Sequence, residues 1–256
     1  MSTSYDVFTG LLKVFPLPSE SLDGSISFDH SRFGLLKEKY PIDEVAGGGD
    51  DFAKAKNLLY WVSAHVTHKG DYRGDIAKDA LSLLDYAYDK GAAQGINCVC
   101  LATILTDCLL SIGIKARTVY IMPCSPYDFD NHCVTHAYIE SMGKWVMLDP
   151  TLSAYFMNEE GLSLSLFELR EHLANQEAVV FNDKVKYNDE GWNDDIAKEF
   201  IEYFAKNLFY FQTYDGDSLI MLSPQGFDPN KAIKYNNKYR AKFQRDNPRL
   251  KEWGEA

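Results

Sequence analysis

A cysteine, a histidine and an aspartate carry the residue types and spacing that favour catalysis in this chain. Cys98 stands where a helix is expected to begin, and unpaired backbone N–H groups there favour negative charge. Such a position lowers the pKa of a cysteine, and the thiolate is the nucleophilic form. An imidazole can take the thiol proton while a carboxylate holds the ring. His136 and Asp149 are the candidates for these two roles.

Each of these residues also has a structural interpretation. A free cysteine usually packs as a small buried hydrophobe, and Cys108, on an apolar helical stripe, fits that role. Cys98 does not, because it follows the glycine turn at Gly95. A histidine and an aspartate on adjacent strands can form a surface pair, but the cysteine beside them favours the catalytic interpretation.

The helices that must position the cysteine are predicted from apolar periodicity. Residues 51–66 carry the first, with Asp50 or Asp51 as its cap. The second spans about 76–90. The third begins near Cys98, repeats apolar residues at i, i+3, i+4, i+7 and i+8, and ends at Gly113.

Three strands are predicted after this helix, at residues 114–122, 134–140 and 144–148. A turn centred on Met142 and Gly143 would pair His136 with Asp149. Directly opposed residues point to the same side of a sheet, so the imidazole would lie beside the carboxylate. A helix followed by sequential strands indicates an α+β fold with an antiparallel sheet.

The order of four motifs resembles the core of the transglutaminase-like superfamily. They are Gly95-x-x-Cys98-x-x-x-Ala102, Leu109-x-x-x-Gly113-Ile114-x-Ala116-Arg117, His136-Ala137-x-x-Glu140 and Trp145-x-x-x-Asp149-Pro150-Thr151. The resemblance covers roughly residues 55–155, looks like bacterial and archaeal members, and implies a papain-like α+β fold. It implies Cys98 as nucleophile, His136 as base and Asp149 as the orienting carboxylate. Its distances favour Cys98 over Cys100, and His136 over His132.

The resemblance implies acyl transfer at an amide bond through a thioester. We expect a peptidase or amidase acting on a protein or peptide, without a cofactor. An amine-accepting transglutaminase and a non-catalytic binding module on the same fold are the alternatives. The backbone N–H of Cys98 is one expected oxyanion donor, and Gln94 is a candidate for a side-chain donor. His65 and His68 could line the cleft, but a position at a helix C-terminus is the favoured interpretation.

Composition narrows the partners of the chain. With 256 residues and a net charge of −11, it is an unsuitable binder of a phosphate backbone, so no nucleic-acid partner is expected. No apolar run reaches the length of a membrane span, and residues 1–15 lack the pattern of a secretion signal. The five cysteines cluster within 36 positions and favour reduced thiols in the cytoplasm. A zinc site is a weaker alternative, since the spacings lack paired ligand knuckles.

The chain is expected to have three parts. Residues 1–50 form a turn-rich segment packed on the core, residues 51–160 form the core, and residues 161–256 form a mostly helical extension. No glycine- or proline-rich linker precedes the extension, so we expect it to pack on the core. A cluster of aromatic residues at 200–211 is expected to form its interior.

Overall fold

A computed structural model describes residues 3–18, 33–125, 127–215 and 218–228. The helices within these ranges are α1 (Thr3–Val14), α2 (Gly34–Lys39), α3 (Ile42–Ala46), α4 (Asp51–His65), α5 (Ala80–Ala87), α6 (Cys98–Ser111), α7 (Leu166–Ala174) and α8 (Asp194–Asn207). The strands are β1 (Ala116–Met122), β2 (His132–Ile139), β3 (Lys144–Leu148), β4 (Phe156–Met157), β5 (Val180–Phe181), β6 (Tyr210–Asp215) and β7 (Ser218–Leu222).

A five-stranded antiparallel sheet in the order β3-β2-β1-β6-β7 organises the fold. Helix α6 packs on one face of β1 and β2, together with α4 and α5. Helices α1, α7 and α8 form a second apolar cluster with the residues of the other face. The prediction of an α+β fold, with the cysteine-bearing helix on an antiparallel sheet, is confirmed.

The C-terminal region contributes strands to this sheet as well as helices. Strand β6 pairs with β1, with Val119 opposite Thr213, and the Thr213 hydroxyl donates to the Thr118 carbonyl at 2.8 Å. The division at residue 160 stays a prediction, and residues 229–256 of the expected extension lie outside the described residues.

Helix α6 has the ends that its sequence predicts. The Asn97 side chain accepts a hydrogen bond from the Cys100 N–H, and Gly113 follows the helix with a φ of 85°. Near its middle, the Thr106 hydroxyl contacts the hydroxyls of Thr118 on β1 and Thr135 on β2. These contacts tie the cysteine-bearing helix to the two central strands.

The two preceding helices differ in how well they were predicted. Helix α4 begins at Asp51 as expected, with Asp50 accepting from the Ala53 N–H. Helix α5 begins later than predicted, because Asp79 caps it and the buried Asp107 carboxylate accepts from the Ala80 N–H.

The hairpin between β2 and β3 has a different register from the predicted one. Ile139 pairs with Lys144, so the turn lies one residue earlier than expected, and Gly143 closes it in a left-handed conformation. The Ser141 N–H and hydroxyl both donate to the Asp51 carboxylate, which holds this turn against α4. His136 therefore pairs with Met147. The prediction that His136 faces Asp149 is wrong.

His136 lies in an aromatic stack inside the protein. Its ring stacks on Trp145 at a centroid distance of 5.0 Å and also contacts Phe167. The Arg117 guanidinium lies 4.1 Å from the Trp145 ring centroid. Among the described residues, neither ring nitrogen of His136 has a hydrogen-bond partner. Burial, and then the charge of Arg117, hold the pKa of His136 well below its ordinary value, so the ring is neutral.

A buried arginine joins the helices on the other side of the sheet. The Arg170 guanidinium, on α7, donates to the Leu208 carbonyl at 2.8 Å and to the Leu12 carbonyl at 3.2 Å. It also donates to the Phe15 carbonyl. These carbonyls lie at the C-terminal ends of α8 and α1, where a cation is favourable.

Replacing His136 by phenylalanine should remove part of the acid sensitivity of the fold. The unfolded chain binds a proton with a pKa of about 6.5, whereas the folded ring resists protonation. The stability contributed by the neutral ring is complete above that pH and is lost as the pH falls below it. As the pH falls from about 7.5 to 5.5, the free energy of unfolding in urea should decrease by about 1 kcal/mol more for the wild type than for His136→Phe. Equal pH dependence in both proteins would contradict this prediction. The control is His65→Gln, a change at a half-buried histidine outside the Trp145 stack.

The variant Arg170→Met should destabilise the packing of α1, α7 and α8. It leaves two buried carbonyls and one half-buried carbonyl without their charged donor, at a cost of about 3 kcal/mol in urea unfolding. The control Lys198→Met removes an exposed ion pair with Asp195 and should change stability by less than about 1 kcal/mol. Equal effects of the two changes would refute the role assigned to Arg170.

Candidate active site

Cys98 is the first residue of α6 and is half-buried. The turn before it lies close to the backbone of residues 67–69. Ile96 exchanges hydrogen bonds with Thr67 and Lys69, so residues 67–69 run alongside the turn before the helix. A Cβ atom at Gly95 would lie 2.9 Å from the Lys69 Cβ and 3.1 Å from the Thr67 carbonyl oxygen. Gly95 is thus the residue that lets this segment approach the start of α6.

The Asp149 carboxylate is bonded to His132. His132 Nε2 lies 2.8 Å from Asp149 Oδ2, and both side chains are buried. The other carboxylate oxygen accepts from the Thr151 N–H at 2.9 Å. The His132 ring packs edge-on against Tyr203 and Phe204 of α8. These contacts fix the ring, with Nδ1 as the nitrogen left for Cys98.

The sulfur of Cys98 contacts several groups that favour its charged form. The Cys133 thiol contributes most to lowering the pKa; burial opposes it, and the side chains of His132 and His68 add to the lowering. Together they hold the pKa of Cys98 well below its ordinary value. Burial disfavours charge on His132, but Asp149 and Cys98 outweigh it and raise the pKa of His132 to about 10. Both shifts favour a thiolate at Cys98 beside a protonated His132.

The other four thiols differ from Cys98 in their protonation. Burial raises the pKa of Cys100 to about 11, and it also raises the pKa of Cys108, Cys124 and Cys133. The sequence-based choice of Cys98 over Cys100 as the reactive thiol therefore agrees with the electrostatics of the site.

The contact with Asp149 distinguishes His132 from His136, which the sequence favoured as the base. Both lie on the same side of β2 as Asp149, so strand parity could not separate them. Four residues of a strand span about 13 Å, which puts the two rings at different ends of the site. Helix α6 runs along β2, since the Thr135 hydroxyl donates to the Ala102 carbonyl. Cys98 also interacts with Cys133, the residue after His132, which places the start of α6 beside the start of β2.

His68 also reaches Cys98, which the favoured interpretation of that residue missed. Helix α4 ends at His65, whose ring bonds Asp89 and stacks on Tyr88. His68 lies beyond the helix, where it forms a bridge with Ile96, and its side chain favours the charged form of Cys98 by lowering the pKa of the thiol. Its Nδ1 lies 3.0 Å from the hydroxyl of Tyr187.

Gln94 ends the short 3₁₀ turn at Gly91–Gln94 and is half-buried. Its assignment as an oxyanion donor stays a prediction.

Within the described ranges, no group of three or more acidic, histidine or cysteine side chains is arranged to hold a metal ion. No helix in the same ranges is long and apolar enough to cross a membrane.

Comparison with known proteins identifies a family for the middle of the chain. Among curated proteins, none is significantly similar. A candidate cysteine protease from Cytophaga hutchinsonii is 16% identical, with a TM-score of 0.39, over 71% of this chain and 62% of its own. A candidate protease from Parabacteroides distasonis is 13% identical, with a TM-score of 0.35, over 72% of this chain and 31% of its own. EGTA-treated LapG of Legionella pneumophila is 14% identical, with a TM-score of 0.35, over 94% of this chain and 96% of its own.

This chain therefore spans less than two thirds of the length of the first two of these proteins. The family model described as the transglutaminase-like superfamily matches residues 41–150. The matched segment contains α4, α5, α6 and β1 to β3, and with them Cys98, His132 and Asp149. The sequence-based resemblance is thus confirmed: residues 41–150 belong to the transglutaminase-like superfamily.

Proposed function

We propose that this protein transfers acyl groups from amide bonds through a thioester at Cys98. In this proposal His132 is the acid and base, and Asp149 orients and stabilises its ring. The observation that carries it is one imidazole shared between a buried carboxylate at 2.8 Å and a thiol whose pKa is lowered. His132 takes the role that the sequence suggested for His136, because Asp149 contacts His132.

The reaction follows from the resting ion pair. The Cys98 thiolate attacks the amide carbon, a C–S bond forms, and the carbonyl electron pair moves to oxygen. The His132 imidazolium gives its proton to the leaving nitrogen as the C–N bond breaks. The neutral imidazole then takes a proton from the acceptor, which attacks the thioester and regenerates the thiolate. The Cys98 backbone N–H, at the start of a helix, is a proposed donor to the oxyanion.

We further propose a peptide or protein substrate and water as the acceptor, which makes the protein a peptidase or amidase. The lowered pKa of Cys98 supports catalysis over a purely binding role, since a binding module has no need of a thiolate. All five cysteines are free, which supports a reducing compartment such as the cytoplasm.

Iodoacetamide should alkylate Cys98 selectively, and the pH dependence should identify its partner. The rate should rise through an apparent pKa well below about 8.5 and stay level up to about pH 10, where His132 loses its proton. In His132→Ala, labelling near pH 6.5 should fall, because the thiol loses the charge and hydrogen bond of His132 while Cys133 and His68 remain. The limit of the fall is about 100-fold, since a thiol with an ordinary pKa is about 1% ionised there. Peptide mass spectrometry of the alkylated protein measures both rate and site.

Three controls separate the roles of the residues in that experiment. Cys98→Ser should abolish the fast phase and Cys100→Ser should retain it. His136→Phe should label at the rate of the wild type, because its ring belongs to the Trp145 stack. If His136→Phe slowed labelling and His132→Ala did not, the assignment of the base would be wrong.

Amide cleavage should depend on the same cysteine. We expect the wild type, and not Cys98→Ser, to create new N-termini in a library of peptides from a digested proteome. Addition of a primary amine should leave the peptides free of that amine if water is the acceptor. Incorporation of the amine in place of hydrolysis would show a transglutaminase, and no change in any peptide would favour a binding module.

A further inference from the structure

We propose that His68 is a catalytic residue whose Nε2–H donates a hydrogen bond to the oxyanion, and that Tyr187 and Asn188 position it. The inference rests on the proposed thioester chemistry at Cys98 and adds the side-chain donor that this chemistry requires. It also assigns a role in the site to a segment beyond the family match, which ends at residue 150.

The backbone holds His68 beside the nucleophile. His68 forms a parallel bridge with Ile96, two residues before Cys98, and the absence of a side chain at Gly95 permits this approach. From the other side, the Asn188 side chain accepts from the His68 N–H at 2.8 Å and donates to the His68 carbonyl at 3.2 Å. Both backbone polar groups of His68 are thus bound to one side chain.

The ring is oriented by a second contact from the same segment. The Tyr187 hydroxyl lies 3.0 Å from His68 Nδ1, and the two rings meet edge to face at 5.6 Å. When the phenol donates to Nδ1, the single proton of the neutral imidazole is on Nε2. Burial raises the pKa of Tyr187, which keeps the phenol protonated.

The second ring nitrogen of His68, Nε2, is the one that these contacts leave without a partner. Within the described residues, the buried His68 Nε2 has no hydrogen bond of ordinary geometry, and burying a donor without a partner is costly. The ring is nevertheless close enough to the Cys98 sulfur to stabilise its negative charge. When the sulfur attacks, its negative charge moves to the carbonyl oxygen, and the Nε2–H of His68 can then donate a hydrogen bond to that oxygen. That transfer of charge gives the unpaired nitrogen a function.

The test compares two reactions of the same thiolate. p-Nitrophenyl acetate acylates it: a C–S bond forms, the carbonyl oxygen becomes an oxyanion, and its collapse breaks the bond to p-nitrophenolate, which is detected by absorbance. Iodoacetamide alkylates it by displacement of iodide, without an oxyanion. An oxyanion donor therefore accelerates the first reaction and not the second, whereas damage to the site or to the ionisation of Cys98 slows both.

We expect His68→Ala to lower the rate of the p-nitrophenolate burst about 100-fold. The alkylation rate on its high-pH plateau should change less than about threefold, since the thiolate is fully formed there. Tyr187→Phe, which removes one oxygen atom, should slow the burst about fivefold to tenfold and leave alkylation unchanged. His68→Gln, which retains an N–H donor, should recover part of the burst rate. The matched control is His65→Gln, whose ring bonds Asp89, and it should behave as the wild type.

Two results would overturn the inference and leave the proposed function intact: a burst unchanged in His68→Ala, or a parallel loss of burst and alkylation in both His68→Ala and Tyr187→Phe. If His68→Ala does not fold, Tyr187→Phe and His68→Gln decide by the same comparison. A wild-type protein that gives neither a burst nor fast alkylation at Cys98 would refute the proposed function, and the role of His68 with it.

Discussion

The buried contact between His132 and Asp149 is the interaction on which the site depends. A carboxylate with no exposed surface is costly unless it is paired and hydrogen-bonded. Here one oxygen bonds the imidazole and the other accepts from the Thr151 N–H, so both are satisfied. The turn that makes this possible is closed by hydrogen bonds between the backbones of Asp149 and Ala154, and it includes Ser153 at a φ of 52°. With the carboxylate fixed, its charge favours the protonated form of the His132 ring, which is the counterion proposed for the Cys98 thiolate.

Much of the wall of this site comes from outside the matched core. Tyr203 and Phe204 of α8 pack against the His132 ring, and Tyr187 and Asn188 bind His68. The same region supplies β6, which pairs with β1 at the centre of the sheet. Because this segment contributes to both the sheet and the site, its removal would expose the His132 ring. This contribution explains why the aromatic residues around position 200 pack tightly, as their spacing predicted.

The sequence located the central helices and strands but not the register of the hairpin between β2 and β3. Periodicity and capping residues located α4, α6 and β1 to β3, because these signals are local. The turn between β2 and β3 was misplaced by one residue, and that error moved the expected partner of Asp149 along the strand. Its position depends on Asp51 binding Ser141 across 90 residues, a tertiary contact that no turn motif encodes. His68 was misread for a similar reason. Its approach to Cys98 depends on the pairing of residues 67–69 with Ile96. In the sequence, the only indication of that close contact is Gly95, whose position leaves no room for a side chain.

The protonation of two histidines is the central claim of this account, and nitrogen NMR of the imidazole rings measures it directly. In protein labelled with ¹⁵N-histidine, near pH 8, His132 should show two protonated ring nitrogens and His136 should show a neutral ring. The charge on His132 should disappear when Cys98→Ala and Asp149→Asn are combined, because both negative partners are then removed. A neutral His132 beside a charged His136 in the wild-type protein would contradict the ion pair, and with it the catalytic arrangement proposed for Cys98.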